Sequence, residues 1–428
     1  MADIVDFISD LTIKDISEEV RQAARLCLLD AVGCMVAGMQ YPAIADLAHA
    51  ITRKNPGESR IVGIPAASTR PWASFVNTHA CTYFDLDDGH RRAQGHPGGV
   101  IIPLALMLAA ENDCSGEELL AAVVAGYETA VRTALIMRQA GGPRKGSGAW
   151  SLSGGVAAAA KLCHLEREQL RHGLGLADYY APQAPQDRSL EHPSSMKEGM
   201  AWASHTALSI VDLVELGFDG MNPVLGDSGY CSDLGSNWEI RSVYFKMYAC
   251  CRFSHPLVDG LKLLILEQGI DHEDIESIAV ASFSKACLLD HVRPANPVAA
   301  MYSIPFIIGC LLVKGVVGPG EMTGDALTDR RILRIADSVI LEEDPKITAQ
   351  FPEKCLARVK VRLTSGKMVE SEILSAKGDP DNPYSMEEMR NKFITLTRPQ
   401  LGKSSESLYQ RIMQVEDDSP QDLWGLLQ

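Results

Sequence analysis

The stretch "FDLDDGHRRAQGHPGG", residues 84–99, places Asp85, Asp87, Asp88, His90, Arg91, Arg92 and His96 between two apolar segments. Such a mixture can ligate a hard metal, exchange a proton or clamp an anion. A carboxylate beside a histidine can orient the ring and support its cation, as general acid/base chemistry requires. The two arginines favour an anion over a metal. They would place positive charge beside a cation, whereas their planar forks match a substrate carboxylate.

Three further islands carry chemistry. In "SLEHPSSMKEGMAWAS" (189–204), Lys197 falls at the expected start of a helix, where the positive field favours an anion nearby or the neutral, basic lysine, so Lys197 or His96 is the expected proton-removing base. In "YFKMYACCRFSHPLVDG" (244–260), Lys246, Arg252 and His255 interrupt an apolar, aromatic run. That setting binds a carboxylate with little water, and His255 can transfer a proton. In "GGPRKGSGAWSLSGGVAAAA" (141–160), glycines and serines precede an alanine-rich helix, which permits an anion nest. The sequence has no phosphate-binding P-loop, dinucleotide fingerprint or GxSxG elbow, so no nucleotide cofactor is expected. Together the islands point to proton removal beside a carboxylate. Loss of water, loss of carbon dioxide or reprotonation on the opposite face can follow. Two competing readings are a metal hydrolase built on Asp87, Asp88 and His90, and a binding protein on an enzyme scaffold.

The elements that must position these islands are mostly helices. Apolar periodicity predicts helices over 17–39, 72–83 and 100–110. Ser115 and Glu118 form a capping box ahead of another, and an alanine-rich helical stretch follows from 154. Strands are scarce before residue 250. The texture then changes: a strand is expected at 278–283, and a hairpin at 357–363 and 368–373 turns around Ser365-Gly366. Helical stretches lie at 304–313 and 327–339, "GDPDNP" (378–383) is turn-rich, and helices return after it. The expected fold is a mainly α-helical large domain over 1–262, completed by 391–428, with a smaller α+β lid domain over 263–390.

The chain has 428 residues, 46% hydrophobic and 22% charged, which suits a globular protein. A formal net charge of −15 disfavours nucleic acid and anionic membranes as partners. The beginning of the chain, with Asp3, Asp6 and Asp10, does not read as a basic-apolar leader. The apolar windows 119–125 and 304–317 are short or interrupted, so no membrane span is expected and the cytoplasm is the expected location. Eleven cysteines without a CxxC pair are expected to be reduced, mostly buried thiols.

Several stretches in chain order resemble the MmgE/PrpD family: "LLDAVGCMVAG" (28–38), "FDLDDGHRRAQGHPGGVIIPLAL" (84–106), "VAGYE" (124–128), "GGVAAAAKL" (154–162), "SSMKEGMA" (194–201), "YFKMYACCRFSHP" (244–256) and "AAMYSIPF" (299–306). The resemblance implies a two-domain fold with its active site in the interdomain cleft, a homodimer, and chemistry on small polycarboxylates without metal or organic cofactor. The family includes 2-methylcitrate dehydratase, cis-aconitate decarboxylase and iminodisuccinate epimerase. A dehydratase-like hydro-lyase is the leading expectation, with epimerase and decarboxylase as alternatives. By resemblance, Asp85 and His96 match the family's aspartate–histidine pair, Lys197 its substrate-facing lysine, and Lys246 and His255 the third motif. Tyr302 falls in the segment closing the cleft. Arg91, Arg92, Lys197, Lys246 and Arg252 are the expected carboxylate-binding groups. The chain departs from the family where many relatives carry a histidine before the alanine helix. Here the loop is "KGSGAWSLSGG", and Ser151 or Ser153 is expected to take that space. Cys251 stands where the decarboxylase branch has another histidine.

Overall fold

The computed structural model describes residues 3–227 and 229–428. Its first half is organised around the helix Gly98–Glu111, which is apolar on every side and buried along almost its whole length. Such a helix belongs in a core. It packs against Glu18–Met39, Arg70–Thr82, Gly116–Gln139 and Gly148–Leu162. The last two approach closely because Gly126 and Gly154 face each other. A Cβ on Gly154 would lie 2.5 Å from the Gly126 carbonyl oxygen. Ser115 and Glu118 form the expected capping box. The alanine-rich stretch, read as continuous, is two helices, Gly148–Leu162 and Arg167–Tyr180. The chain turns between them at His164, whose φ is +53°.

Glu18–Met39 and Gly116–Gln139 are long and apolar enough to cross a membrane by length and composition, yet both are mostly buried within the protein. Their apolar surface is already satisfied by neighbouring helices. None of the eleven cysteines forms a disulfide, and most are buried.

The later region carries a five-stranded sheet. Ile275–Ser282 lies between Val339–Glu343, parallel to it, and Leu356–Leu363, antiparallel to it. Leu356–Leu363 also pairs with Met368–Glu370 and with Leu374–Ser375. The parallel pair needs a long crossover, which includes Pro297–Met301, Ile304–Lys314 and Arg330–Asp337. The strand Val339–Glu343 was hidden in sequence. It is a mostly exposed edge strand with two glutamates, so it shows neither an apolar run nor clean alternation. The short hairpin Ser59–Ile61 and Ile64–Ser68 was hidden by its length.

After the sheet the chain returns to the first helices. Met386–Leu401 packs along Glu18–Met39, with Phe393 against Gly33. Buried Lys392 on this helix donates to Asp30 and to the Leu86 carbonyl, 2.9 Å away. The C-terminal segment thus holds the loop that carries the first charged island.

Candidate active site

Asp85 leaves the end of Arg70–Thr82, its amide donating to the Thr82 carbonyl at 3.1 Å. Its φ of +52° is unusual for a residue with a side chain. Backbone strain of this kind persists where surrounding contacts impose it, often at functional sites. The next residues pair Gly89–His90 with Val243–Tyr244. This joins the first island to the third. A Cβ on Gly89 would lie 2.3 Å from the Tyr244 ring, so the approach requires glycine.

The structure brings Asp85, His96, Lys197 and Lys246 together. Lys197 Nζ donates to Asp85 Oδ1 at 2.8 Å, and Lys246 Nζ stands 3.5 Å from Asp85 Oδ2. His96 Nε2 is 3.5 Å from Asp85 Oδ1, while its Nδ1 is 2.6 Å from the Asp88 carbonyl. A carbonyl only accepts, so Nδ1 carries a hydrogen, and Nε2 faces the Asp85 carboxylate. Burial alone would raise the Asp85 carboxyl. Lys197, Lys246 and His96 outweigh it and hold the group well below the usual carboxylate range. Burial would likewise lower the Lys246 ammonium, but Asp85 and Asp87 raise it instead.

Lys197 does not begin the helix as expected. It sits in a 3-10 turn before Met200–Glu215. Lys197, Glu198 and Gly199 all have positive φ, at 38°, 58° and 74°. Glu198 helps hold this turn. Its carboxylate accepts the Ser147 amide at 2.8 Å, the Ser147 hydroxyl, and Gln186 Nε2 at 2.8 Å. Burial would raise Glu198, but His96 and the Ser147 hydrogen bonds lower it. Ser147 Oγ also accepts the His96 amide at 3.0 Å. Ser147, rather than Ser151 or Ser153, is the serine of this stretch that contacts His96. Ser151 donates back to the Ser147 carbonyl, and Ser153 bonds to Trp150 and Thr133. One helical turn separates Ser147 from Ser151, and loop spacing alone did not show which faced His96.

Four other expected residues are placed differently. Arg92 points away to Glu239 at 2.9 Å, with its side chain 57% exposed. Arg91 lines the cleft but is held by both oxygens of Asp379, and Arg252 also reaches Asp379, at 3.1 Å. The two guanidiniums flank the Tyr244 ring. His255 is fully buried against Tyr248 and does not line the cleft; Lys197 and Lys246 do not line it either, but both reach Asp85, which does. Burial, with Arg252 and Lys246 nearby, pushes the His255 pKa well below the ordinary value. Tyr302 does line the cleft, with Lys197 Nζ 5.4 Å from its ring centre. Asp379 was missed because "GDPDNP" reads as a turn. Glu198 was missed because it stands beside the more conspicuous Lys197.

Asp85, Asp87 and His96 bring possible ligand atoms within 4.8 Å of one another. A divalent cation there would meet two ammonium groups on Asp85, which is unfavourable. Asp87, Asp88 and His90 do not converge. Asp87 approaches His96, Asp88 bonds to Tyr127 and the Gly98 amide, and His90 approaches Glu239.

Comparison with known proteins agrees with this architecture. The MmgE/PrpD N-terminal domain matches residues 2–236, and the MmgE/PrpD C-terminal domain matches residues 248–418. The chain is 22% identical over 461 aligned residues to cis-aconitate decarboxylase of Aspergillus terreus (strain NIH 2624 / FGSC A1156), spanning 97% of this chain and 91% of that protein. It is 23% identical over 399 residues to 2-methylcitrate dehydratase of Salmonella typhi, spanning 83% and 80%. The same values hold for 2-methylcitrate dehydratase of Escherichia coli (strain K12).

Proposed function

The chain belongs to the MmgE/PrpD family, and on that premise we propose that its cleft removes a proton alpha to a carboxylate of a small di- or tricarboxylate. The leading reaction is hydro-lyase chemistry like that of 2-methylcitrate dehydratase. One observation carries the reading: His96 presents Nε2 beside Asp85 while Nδ1 is fixed on the Asp88 carbonyl. In this reading His96 is the base, acting through Nε2 in its neutral form. Asp85 stabilises the imidazolium formed when His96 takes the proton. Lys197, ion-paired to Asp85, is a cation and proton donor rather than the base. With Lys246 it supplies fixed positive charge for the developing enediolate. Burial pushes the Tyr302 phenol well up, so it remains a proton donor at the cleft wall. Elimination then breaks the carbon–oxygen bond. The leaving hydroxyl takes a proton from His96 or Tyr302, yielding water and an alkene.

Decarboxylation is the second reading, supported by the match to cis-aconitate decarboxylase along nearly the whole chain. There a carbon–carbon bond breaks, carbon dioxide leaves, and the resulting carbanion is reprotonated. An epimerase acting on an iminodisuccinate-like compound would instead need proton exchange on both faces of one carbon. The reading includes a cytoplasmic homodimer that works without metal or organic cofactor. Undiminished turnover after chelation and dialysis, and a dimer by light scattering, are its expected results.

The direct test is proton NMR in heavy water with 2-methylcitrate, citrate, cis-aconitate and iminodisuccinate. A new vinyl signal at constant carbon count identifies elimination. Loss of one carbon identifies decarboxylation, and exchange without net loss identifies an epimerase. Lys197→Ala should reduce turnover by about 10²-fold or more. Full turnover by that variant would defeat the proposal.

A further inference from the structure

The charged groups around the cleft are unevenly neutralised. Arg91 and Arg252 share Asp379, and Arg92 is held by Glu239. Lys197 and Lys246 share Asp85. Arg144 is different. It lines both the cleft and the wider mouth beside it. Its Nη1 donates to Gln94 Oε1, and its Nη2 is 3.4 Å from half-exposed Asp187, which Lys285 also approaches at 3.2 Å. Its Nε is buried without a hydrogen-bond partner, as are Arg252 Nε and Lys246 Nζ, but of these three groups Arg144 alone also lines the wider mouth. An unpaired buried guanidinium N–H is costly unless a ligand completes it.

The mouth reinforces this assignment. Arg138, Arg144, Lys145 and Lys285 line it with one acid, Asp187. Such a cluster stands out on a chain with a formal net charge of −15. Burial and the neighbouring Arg144 and Arg92 lower the Arg138 pKa, consistent with crowded positive charge. The backbone holding Arg144 is also fixed. Its carbonyl accepts the Gln186 amide at 2.8 Å, and Lys145 Nζ donates to the Gln183 carbonyl at 2.7 Å. Arg144 is thus presented from a braced lip rather than a free loop.

We propose that Arg144 forms a distal carboxylate subsite at the cleft mouth. The substrate then carries at least two carboxylates, one beside the reacting carbon near His96 and another bound by Arg144. This assignment deepens the proposed function and rests on it. Asp187 partly neutralises the subsite, so it opposes the bound carboxylate electrostatically.

The test measures binding of tricarballylate, an unreactive tricarboxylate, by calorimetry to the full chain and three variants. Arg144→Gln should weaken binding about tenfold or more, because a charge-assisted contact is lost. Asp187→Asn should tighten it about threefold, because a competing charge is removed. Arg92→Gln, outside the cleft, should change it less than twofold. With a turned-over substrate, Arg144→Gln should raise KM while leaving kcat within about threefold, as expected for a uniformly bound group. If Arg144→Gln does not fold, the opposite shift in Asp187→Asn still tests the subsite. Unchanged affinity in folded Arg144→Gln, or in Asp187→Asn if the former does not fold, would overturn the subsite alone. Absence of both tricarballylate binding and turnover of any polycarboxylate by the unmodified protein would overturn the subsite and the proposed function together.

Discussion

Asp85 and Asp88 stand three residues apart on one loop and are almost equally buried, yet their surroundings drive their carboxyls in opposite directions. Asp85 meets Lys197, Lys246 and His96, whose combined influence outweighs burial and keeps it ionised. Asp88 meets the Tyr127 hydroxyl at 2.5 Å and the Gly98 amide at 3.1 Å, with Asp30 and Asp87 nearby. Burial dominates there and raises its pKa to about 7, although the Tyr127 bond opposes the shift. Burial makes either charge expensive, and the partners decide which protonation state survives. Asp85 is consequently suited to supporting a cationic base and substrate charge. Asp88 instead braces the wall, joining the start of Gly98–Glu111 to Tyr127 while its own carbonyl fixes His96.

Asp85→Asn should break the contrast most strongly. It leaves Lys197, Lys246 and His96 around a neutral amide. Turnover should fall by about 10³-fold or more. Stability should fall by about 3–5 kcal/mol, measured by urea unfolding. Activity close to wild type would show that the ionised carboxylate is dispensable.

Asp88→Asn should have a smaller effect that depends on pH. The folded Asp88 pKa lies near 7, above the unfolded value near 3.9. Between those values the folded protein binds more protons, so stability falls as pH rises through this window. Asn removes that loss, which reaches roughly 4 kcal/mol near pH 7. Urea unfolding of the wild type and variant at pH 4.5 and 7.5 reads it. A stability difference independent of pH would remove the contrast between Asp85 and Asp88.

The two histidines sharpen the same point. His96→Gln should cost about 10²–10⁴ in turnover, whereas His255→Gln should remain within roughly threefold. The depressed folded pKa of His255 makes the protein lose stability as pH drops below about 6.5, where the unfolded histidine binds a proton. His255→Gln should flatten that part of the unfolding profile. A large, specific kcat loss in folded His255→Gln would return this residue to the chemical step.

The long helices were legible because their apolar faces recur over several turns, and the sheet hairpin because its strands alternate around Ser365-Gly366. The edge strand Val339–Glu343 was obscured by its exposed, acidic residues. The charged islands were also conspicuous, since ionisable groups interrupt apolar segments at high cost unless they find partners. Their pairing was not legible. Arg91, Arg92 and Arg252 are identical in residue type, but Asp379 and Glu239 meet them only after distant segments come together.

By itself, then, the sequence determined where helices could bury apolar faces, which segments carried unusual charge, and, through its motifs, that the chain belongs to the MmgE/PrpD family. Tertiary structure decided that His96 faces Asp85 while His255 is enclosed, that Ser147 rather than Ser151 contacts His96, and that Arg144 keeps an unpaired Nε. The physical reason is that side-chain identity sets what a group can donate, accept or ionise. Burial, strained backbone and partners brought from distant segments determine which of those possibilities the folded protein retains.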